Sequence, residues 1–127
     1  MSAGTELPVG LVGTVTADVT HADTARALGS GDVLVLGTPR VLSLVEAATV
    51  AAVSERLPEE RTSVGTDVAL AHTAPSPVGA RVVATAELTE VSGRHLTFTV
   101  ELSQDGSRVA HGTVQRAVVS RQRFEGA

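Results

Sequence analysis

Three side chains in this sequence pair a type that can move a proton or attack a carbonyl carbon with a position that could put it to use: Thr38, Glu46 and His72. Glu46 is the most telling. It stands within Val41-Leu42-Ser43-Leu44-Val45-Glu46-Ala47-Ala48-Thr49-Val50-Ala51-Ala52-Val53, a run that is apolar on nearly every face. A helix with that pattern is expected to be buried all round. A carboxylate inside it must gain a partner, take up a proton or face a pocket. Each outcome shifts its pKa, and shifted carboxylates concentrate at functional sites. The plainer reading is a glutamate at a helix edge or a dimer seam.

His72 shares a strand face with Val68 and Leu70 by alternation. If that face looks at the helix, an imidazole near Glu46 would supply a base close to neutral pH; the plainer reading is a satisfied core histidine. Thr38 opens the helix, where its ordinary role is the N-cap. A hydroxyl there also lies beside free helix N–H groups, which favour developing negative charge. Eight residues separate Thr38 from Glu46, about 12 Å along a helix axis. The two share a pocket only if the chain before the helix folds back or if two subunits contribute.

Arg116, in Gly112-Thr113-Val114-Gln115-Arg116-Ala117-Val118-Val119, falls among apolar neighbours. It is either an edge arginine or a cation that anchors a carboxylate or an acyl group. His21, His95 and His111 show no ligand spacing, so no metal is expected. The glycines form no phosphate loop, and no GxSxG elbow occurs. There is no cysteine, which excludes disulfides, thiolate metal sites and a cysteine nucleophile, and fits a reducing compartment. All ten basic residues are arginine, which removes lysine Schiff-base chemistry. A formal net charge of -4 with two aromatic residues, and no basic tract, argues against a nucleic-acid partner. Met1 to Glu6 lacks the cationic start and apolar stretch of a signal peptide, and the apolar helix is too short and mixed to span a membrane. A cytoplasmic protein that needs no cofactor is the expectation.

The elements that must position these residues follow from punctuation and period. The 127 residues suit one domain, 1–127, with a core built from Val, Leu and Ala. Residues 11–20 read as a first strand. A turn-rich link follows to Gly31, with one helical turn near 22–28, and then a short apolar segment at 32–36. Thr38 and Pro39 start the helix, at the cap and first helical position, and it runs to about Leu57 before Pro58. The period then changes to two. Strands are expected at 64–73, 79–91, 94–104 and 107–120, with Ser92-Gly93 and Asp105-Gly106 as tight turns and a loose tail after Ser120. This order gives an α+β fold: one helix wrapped by a long antiparallel sheet, with the four later strands as a meander. That is the hot-dog architecture. A single copy leaves edge strands unpaired, which pairing of two sheets in a dimer would address.

Thr38, Val45-Glu46-Ala47-Ala48, Val64-Gly65-Thr66, Ala71-His72-Thr73-Ala74 and Gly112 to Val118 together resemble the fluoroacetyl-CoA thioesterase-like family of hot-dog thioesterases. The likeness covers about residues 30–120. It implies that Thr38, Glu46 and His72 form the catalytic set, that Gly65 lends a backbone N–H near the acyl group and that Arg116 shapes the pocket. It also implies a homodimer with sites at the subunit interface; a tetramer is the alternative left open. In that family aromatic residues ahead of the helix gate a small acyl pocket. Here Gly31 to Leu36 holds none, and Ala47 and Ala48 follow the glutamate, which implies a wider pocket for short or medium acyl groups. The function expected is hydrolysis of an acyl-CoA or acyl-carrier thioester. The alternatives left open are a non-catalytic acyl-thioester binder and an enoyl-thioester hydratase. No membrane partner is expected.

Overall fold

The computed structural model describes residues 7–126; the residues that carried the signal-peptide expectation lie outside that range. Among the described residues the chain forms β1 (Val12–Asp18), a short α1 (Ala25–Leu28), the long α2 (Thr38–Val53), β2 (Arg61–His72), β3 (Arg81–Ser92), β4 (His95–Gln104), β5 (Ser107–Ser120) and a closing turn of helix, α3 (Arg121–Phe124). The strands make one antiparallel sheet in the order β1-β3-β4-β5-β2.

Alternation places the core as the sequence suggests. Val82, Ala84, Ala86 and Leu88 of β3 and Leu96, Phe98, Val100 and Leu102 of β4 are all buried on the face turned to α2. The turns Ser92-Gly93 and Asp105-Gly106 fall where expected, with Gly93, Asp105 and Gly106 in the left-handed region that tight hairpins require.

Four expectations need correction. The strands at 81–120 form a meander, but β2 does not join it through β3; it lies outside β5 at the far edge. The link from Thr73 to Ala80 carries Pro75 and Pro77 and lacks the two-residue hairpin turn. Eight residues readily cross three strand spacings, about 14 Å. Second, α2 is not buried all round. The one sheet covers Val41, Leu44, Val45, Ala48, Thr49, Ala52 and Val53, at helical spacing. The opposite face, with Ser43, Ala47, Val50 and Ala51, is exposed in the single chain. Third, the N-cap is Gly37, not Thr38: the Gly37 carbonyl accepts from the N–H groups of Arg40 and Val41 at 3.0 and 3.1 Å. The helix itself ends at Val53, with a 3-10 turn at Ser54–Arg56 before Pro58. Fourth, the tail after Ser120 is not loose. It makes a helical turn capped by the Ser120 hydroxyl, and Arg121 is pinned by Nε to the Glu59 carbonyl at 3.1 Å.

What sets the helix on the sheet is close approach. A Cβ at Gly13 would collide with the backbone of Ala48 and Ala52, so β1 lies directly against α2 because position 13 has no side chain. The entry to α2 is fixed by Asp23. It accepts from the Thr20 N–H and hydroxyl and from Arg40, whose Nε lies 3.0 Å away in the first helical turn. Burial alone would raise the Asp23 pKa, but these partners outweigh it and hold the carboxyl below its ordinary value.

Gly13→Val is therefore expected to destabilise the fold by about 3 kcal/mol in denaturant unfolding, through overpacking against backbone that cannot swing away. Val12→Thr, at an exposed neighbour, should change stability by less than about 0.5 kcal/mol.

Candidate active site

The site is built on two clusters at the β2 edge. The first gathers around Arg116. On β5 this residue stands between Leu96 of β4 and Gly65 of β2, on the inward face with Val114 and Val118. Its guanidinium is buried, with a side-chain exposure of 8%. A guanidinium cannot shed its charge, so its nitrogens must find acceptors where it sits. Nε donates to the Ser63 hydroxyl at 2.8 Å, Nη2 to the Ser63 carbonyl at 3.0 Å, and Nη1 to Glu46 Oε2 at 3.2 Å. Burial pulls the Arg116 pKa below its ordinary value, and the Glu46 carboxylate offsets part of that shift.

Glu46 reaches this cation from the middle of α2. Its side chain is 34% exposed, so it sits on the boundary between the buried and open faces of the helix. Only Oε2 is engaged; among the described residues no hydrogen bond reaches Oε1. Gly65 makes the approach possible. A Cβ there would overlap Glu46 Oε2 and come within 3.6 Å of Arg116 Nη1. The strand register shifts between Gly65 and Asp67, so Thr66 is the extra residue of a bulge, a device that re-aims side chains along a strand. Before the bulge Ser63 and Gly65 face inward; after it Val68, Leu70 and His72 do.

The second cluster is Thr38 with His72. Because Gly37 caps the helix, the Thr38 hydroxyl is not spent on a backbone N–H. It lies 2.8 Å from His72 Nδ1. His72 Nε2 is enclosed and has no hydrogen-bond partner among the described residues. A cleft of about 260 Å³ opens beside this imidazole, between Val35 and Pro75.

The structure thus brings together Thr38 with His72, and Glu46 with Gly65 and Arg116. It does not bring the two clusters together within one chain. The Glu46–His72 contact considered from the sequence is absent: Glu46 pairs with Arg116 instead, because β5 places that cation directly opposite Gly65. His21, His95 and His111 are exposed. Ser63 was missed in the sequence. The signal available for it was alternation, since it lies two residues before Gly65 on the same strand face.

The Glu46–Arg116 contact is testable by a double-mutant cycle on stability. Arg116→Met alone should cost about 2 kcal/mol, and the Arg116→Met/Glu46→Gln pair should cost less than the sum of the single changes. Additive single effects would mean that the two side chains do not interact.

Comparisons with known proteins bear on the family and the fold. A family model described as fluoroacetyl-CoA-specific thioesterase matches residues 19–122. The fluoroacetyl-CoA thioesterase of Streptantibioticus cattleyicolor is 36% identical over 90 residues, which cover 71% of this chain and 65% of that relative. The chain therefore spans just under two thirds of that relative's length. A solved structure of a variant of the fluoroacetyl-CoA enzyme FlK in complex with acetyl-CoA superposes with a TM-score of 0.88 at 30% identity, covering 94% of each chain. A hot-dog-like protein from Thermanaerovibrio acidaminovorans superposes with a TM-score of 0.84 at 25% identity, over 94% of this chain and 88% of that one. The fold is the hot-dog fold, and the chain belongs to the fluoroacetyl-CoA-specific thioesterase family.

Proposed function

We propose that this protein is a homodimeric thioester hydrolase that cleaves acyl-CoA to free acid and thiol, with each site assembled from two subunits. The observation that carries this reading is the division of the site. One end of the β2 edge presents a carboxylate with one free oxygen, fixed by a buried arginine. The other end presents a threonine–histidine pair. A thioester hydrolase needs both: a group that attacks or activates water, and a group that carries protons.

Sheet edges with free backbone groups invite pairing, and residues 65–69 of β2 are exposed along its whole middle. Antiparallel pairing of two β2 strands about a two-fold axis must set inward residues opposite inward residues. An axis at Asp67 would place two like carboxylates directly opposite, which is unfavourable. An axis at Val68, with Thr66 bulged out of the register, satisfies the face rule and sets Val68 against Val68, Leu70 opposite Gly65 and His72 opposite Ser63. The proton carrier of one subunit then stands beside the Glu46–Arg116 cluster of the other.

In such a site Glu46 Oε1 attacks the thioester carbonyl, or takes a proton from the water that does. The carbonyl π electrons move to oxygen, and backbone N–H groups hold that charge, Gly65 being the candidate donor; losing one such donor typically costs about 3 to 4 kcal/mol of barrier. Collapse breaks the C–S bond, and the departing thiolate takes a proton from His72. If Glu46 is acylated, water deprotonated by His72 then cleaves the anhydride and restores the carboxylate. Thr38 fixes the imidazole through Nδ1. The aromatic-free segment 31–36 favours acyl groups larger than fluoroacetyl. No helix among the described residues is long and apolar enough to cross a membrane, and we place the enzyme in the cytoplasm.

Free-thiol release from a panel of acyl-CoAs tests the activity. Glu46→Gln, with its fold intact, should lose at least about 100-fold in kcat; equal turnover by both proteins would remove Glu46 from the chemistry. A change in enoyl absorbance without thiol would indicate hydration, and saturable binding without turnover a binder. The two-subunit site is tested by mixing. Glu46→Gln and His72→Ala are each expected to be inactive alone. After joint refolding, half of the dimers are mixed and each holds one intact site of two, so about a quarter of native activity should return. No recovery would put Glu46 and His72 of one chain in the same site.

A further inference from the structure

The three arginines and one exposed phenylalanine at the end of β5 have no part in the chemistry above. Phe98 is fully buried, but Phe124, the other of the chain's two aromatic residues, is 60% exposed. It borders a cleft of about 250 Å³ together with Arg94, from the β3–β4 turn, and Arg123. Both guanidinium groups are exposed, and among the described residues neither enters a salt bridge. In a chain of net charge -4, two unpaired cations flanking a free aromatic face form a local exception.

This cleft is the outermost of three neighbouring clefts, the innermost of which reaches Ser63 beside the candidate active site. It shares Ser120 with a second cleft, lined by Glu60, Arg121, Gln122 and Glu125. That one shares Arg121 with a third, which runs from Val50 on the open face of α2, past the buried Val53, to Ser63, the residue that holds Arg116. The path has a definite length. Four strand residues from Arg116 to Ser120 span about 14 Å, and Phe124 lies one helical turn, about 5 Å, beyond.

We propose that Arg94, Arg123 and Phe124 bind the 3′-phosphoadenosine diphosphate end of coenzyme A, with the pantetheine arm lying in the groove past Arg121 to Glu46. The proposal rests on the reading of the protein as an acyl-CoA hydrolase and selects coenzyme A over a carrier protein. The chemistry matches at each stage. The nucleotide carries phosphates, for which guanidinium groups are the fitted donors. Its base stacks on an aromatic or guanidinium face. The pantetheine arm is uncharged and amide-rich, which suits the mixed polar middle of the groove, where Glu60 and Glu125 would repel phosphate. An extended pantetheine arm has the reach of the path from Phe124 to the Glu46 cluster.

The test compares an acyl-CoA with the same acyl group on pantetheine, which lacks the nucleotide. For the native protein kcat/KM should favour the CoA ester, and added salt should erode that preference by screening. In Arg94→Ala/Arg123→Ala, and separately in Phe124→Ala, with melting curves confirming the fold, the preference should fall at least about ten-fold, through KM rather than kcat. A preference unchanged in both variants would overturn the proposal. Calorimetric binding of adenosine 3′,5′-bisphosphate separates this failure from failure of the hydrolase reading. If no ester is turned over but the native protein binds the nucleotide and the variants bind it at least about ten-fold more weakly, the nucleotide site stands and hydrolysis falls. If native and variant proteins bind it equally, the site falls whatever the turnover.

Discussion

The arrangement hangs on a cation that cannot be neutralised. Arg116 faces the core side of the sheet, so its guanidinium must find acceptors there, and two elements supply them. Ser63 gives a hydroxyl and a carbonyl from β2, Glu46 gives a carboxylate from α2, and β5 carries the arginine itself. This ties the helix to the outer edge of the sheet and fixes the position of a long, flexible glutamate that would otherwise sample many rotamers. A buried ion pair of this kind is weak evidence for added stability, because desolvation cancels much of the attraction. Its consequence is geometric: one carboxylate oxygen is held, and the other is left at the boundary of the core.

The helix is positioned between two missing side chains. At one edge Gly13 lets β1 touch the backbone of α2; at the other Gly65 lets the Glu46 carboxylate lie against β2. These absences define the approach of helix to sheet in a chain whose core is mostly Val, Leu and Ala, with Phe98 as its one buried aromatic. Such small side chains allow close layers but cover little area. The outward face of α2 and the outer edge of β2 stay open in the single chain, and the groups suited to catalysis stand beside that opening rather than beneath it.

A carboxylate within a helix is ordinarily too well solvated or too well buried to be selective. Here it is neither. Arg116 supplies the counter-charge from behind, and the open side admits a substrate. The proposed second subunit would close this side, exclude water and strengthen every electrostatic contact inside it.

Much of this was legible in the sequence because it is local. The period-two patterns of β3 and β4, the two glycine-containing turns, the start of α2 at Thr38 and the anomaly of Glu46 all follow from neighbours within a few residues. The chemical types at Thr38, Glu46, His72 and Arg116 were equally visible. What the sequence did not determine is which partners these groups choose. Strand order is set by where an eight-residue link can reach, so β2 crosses to the far side of β5, and only that crossing brings Gly65 and Ser63 opposite Arg116. The cap at Gly37 frees the Thr38 hydroxyl for His72, and the bulge at Thr66 changes which residues of β2 face inward. Each of these is a pairing between residues distant in the chain, decided by packing of the whole sheet against the helix. Residue types gave the chemistry available; the tertiary fold decided which groups meet and which remain free.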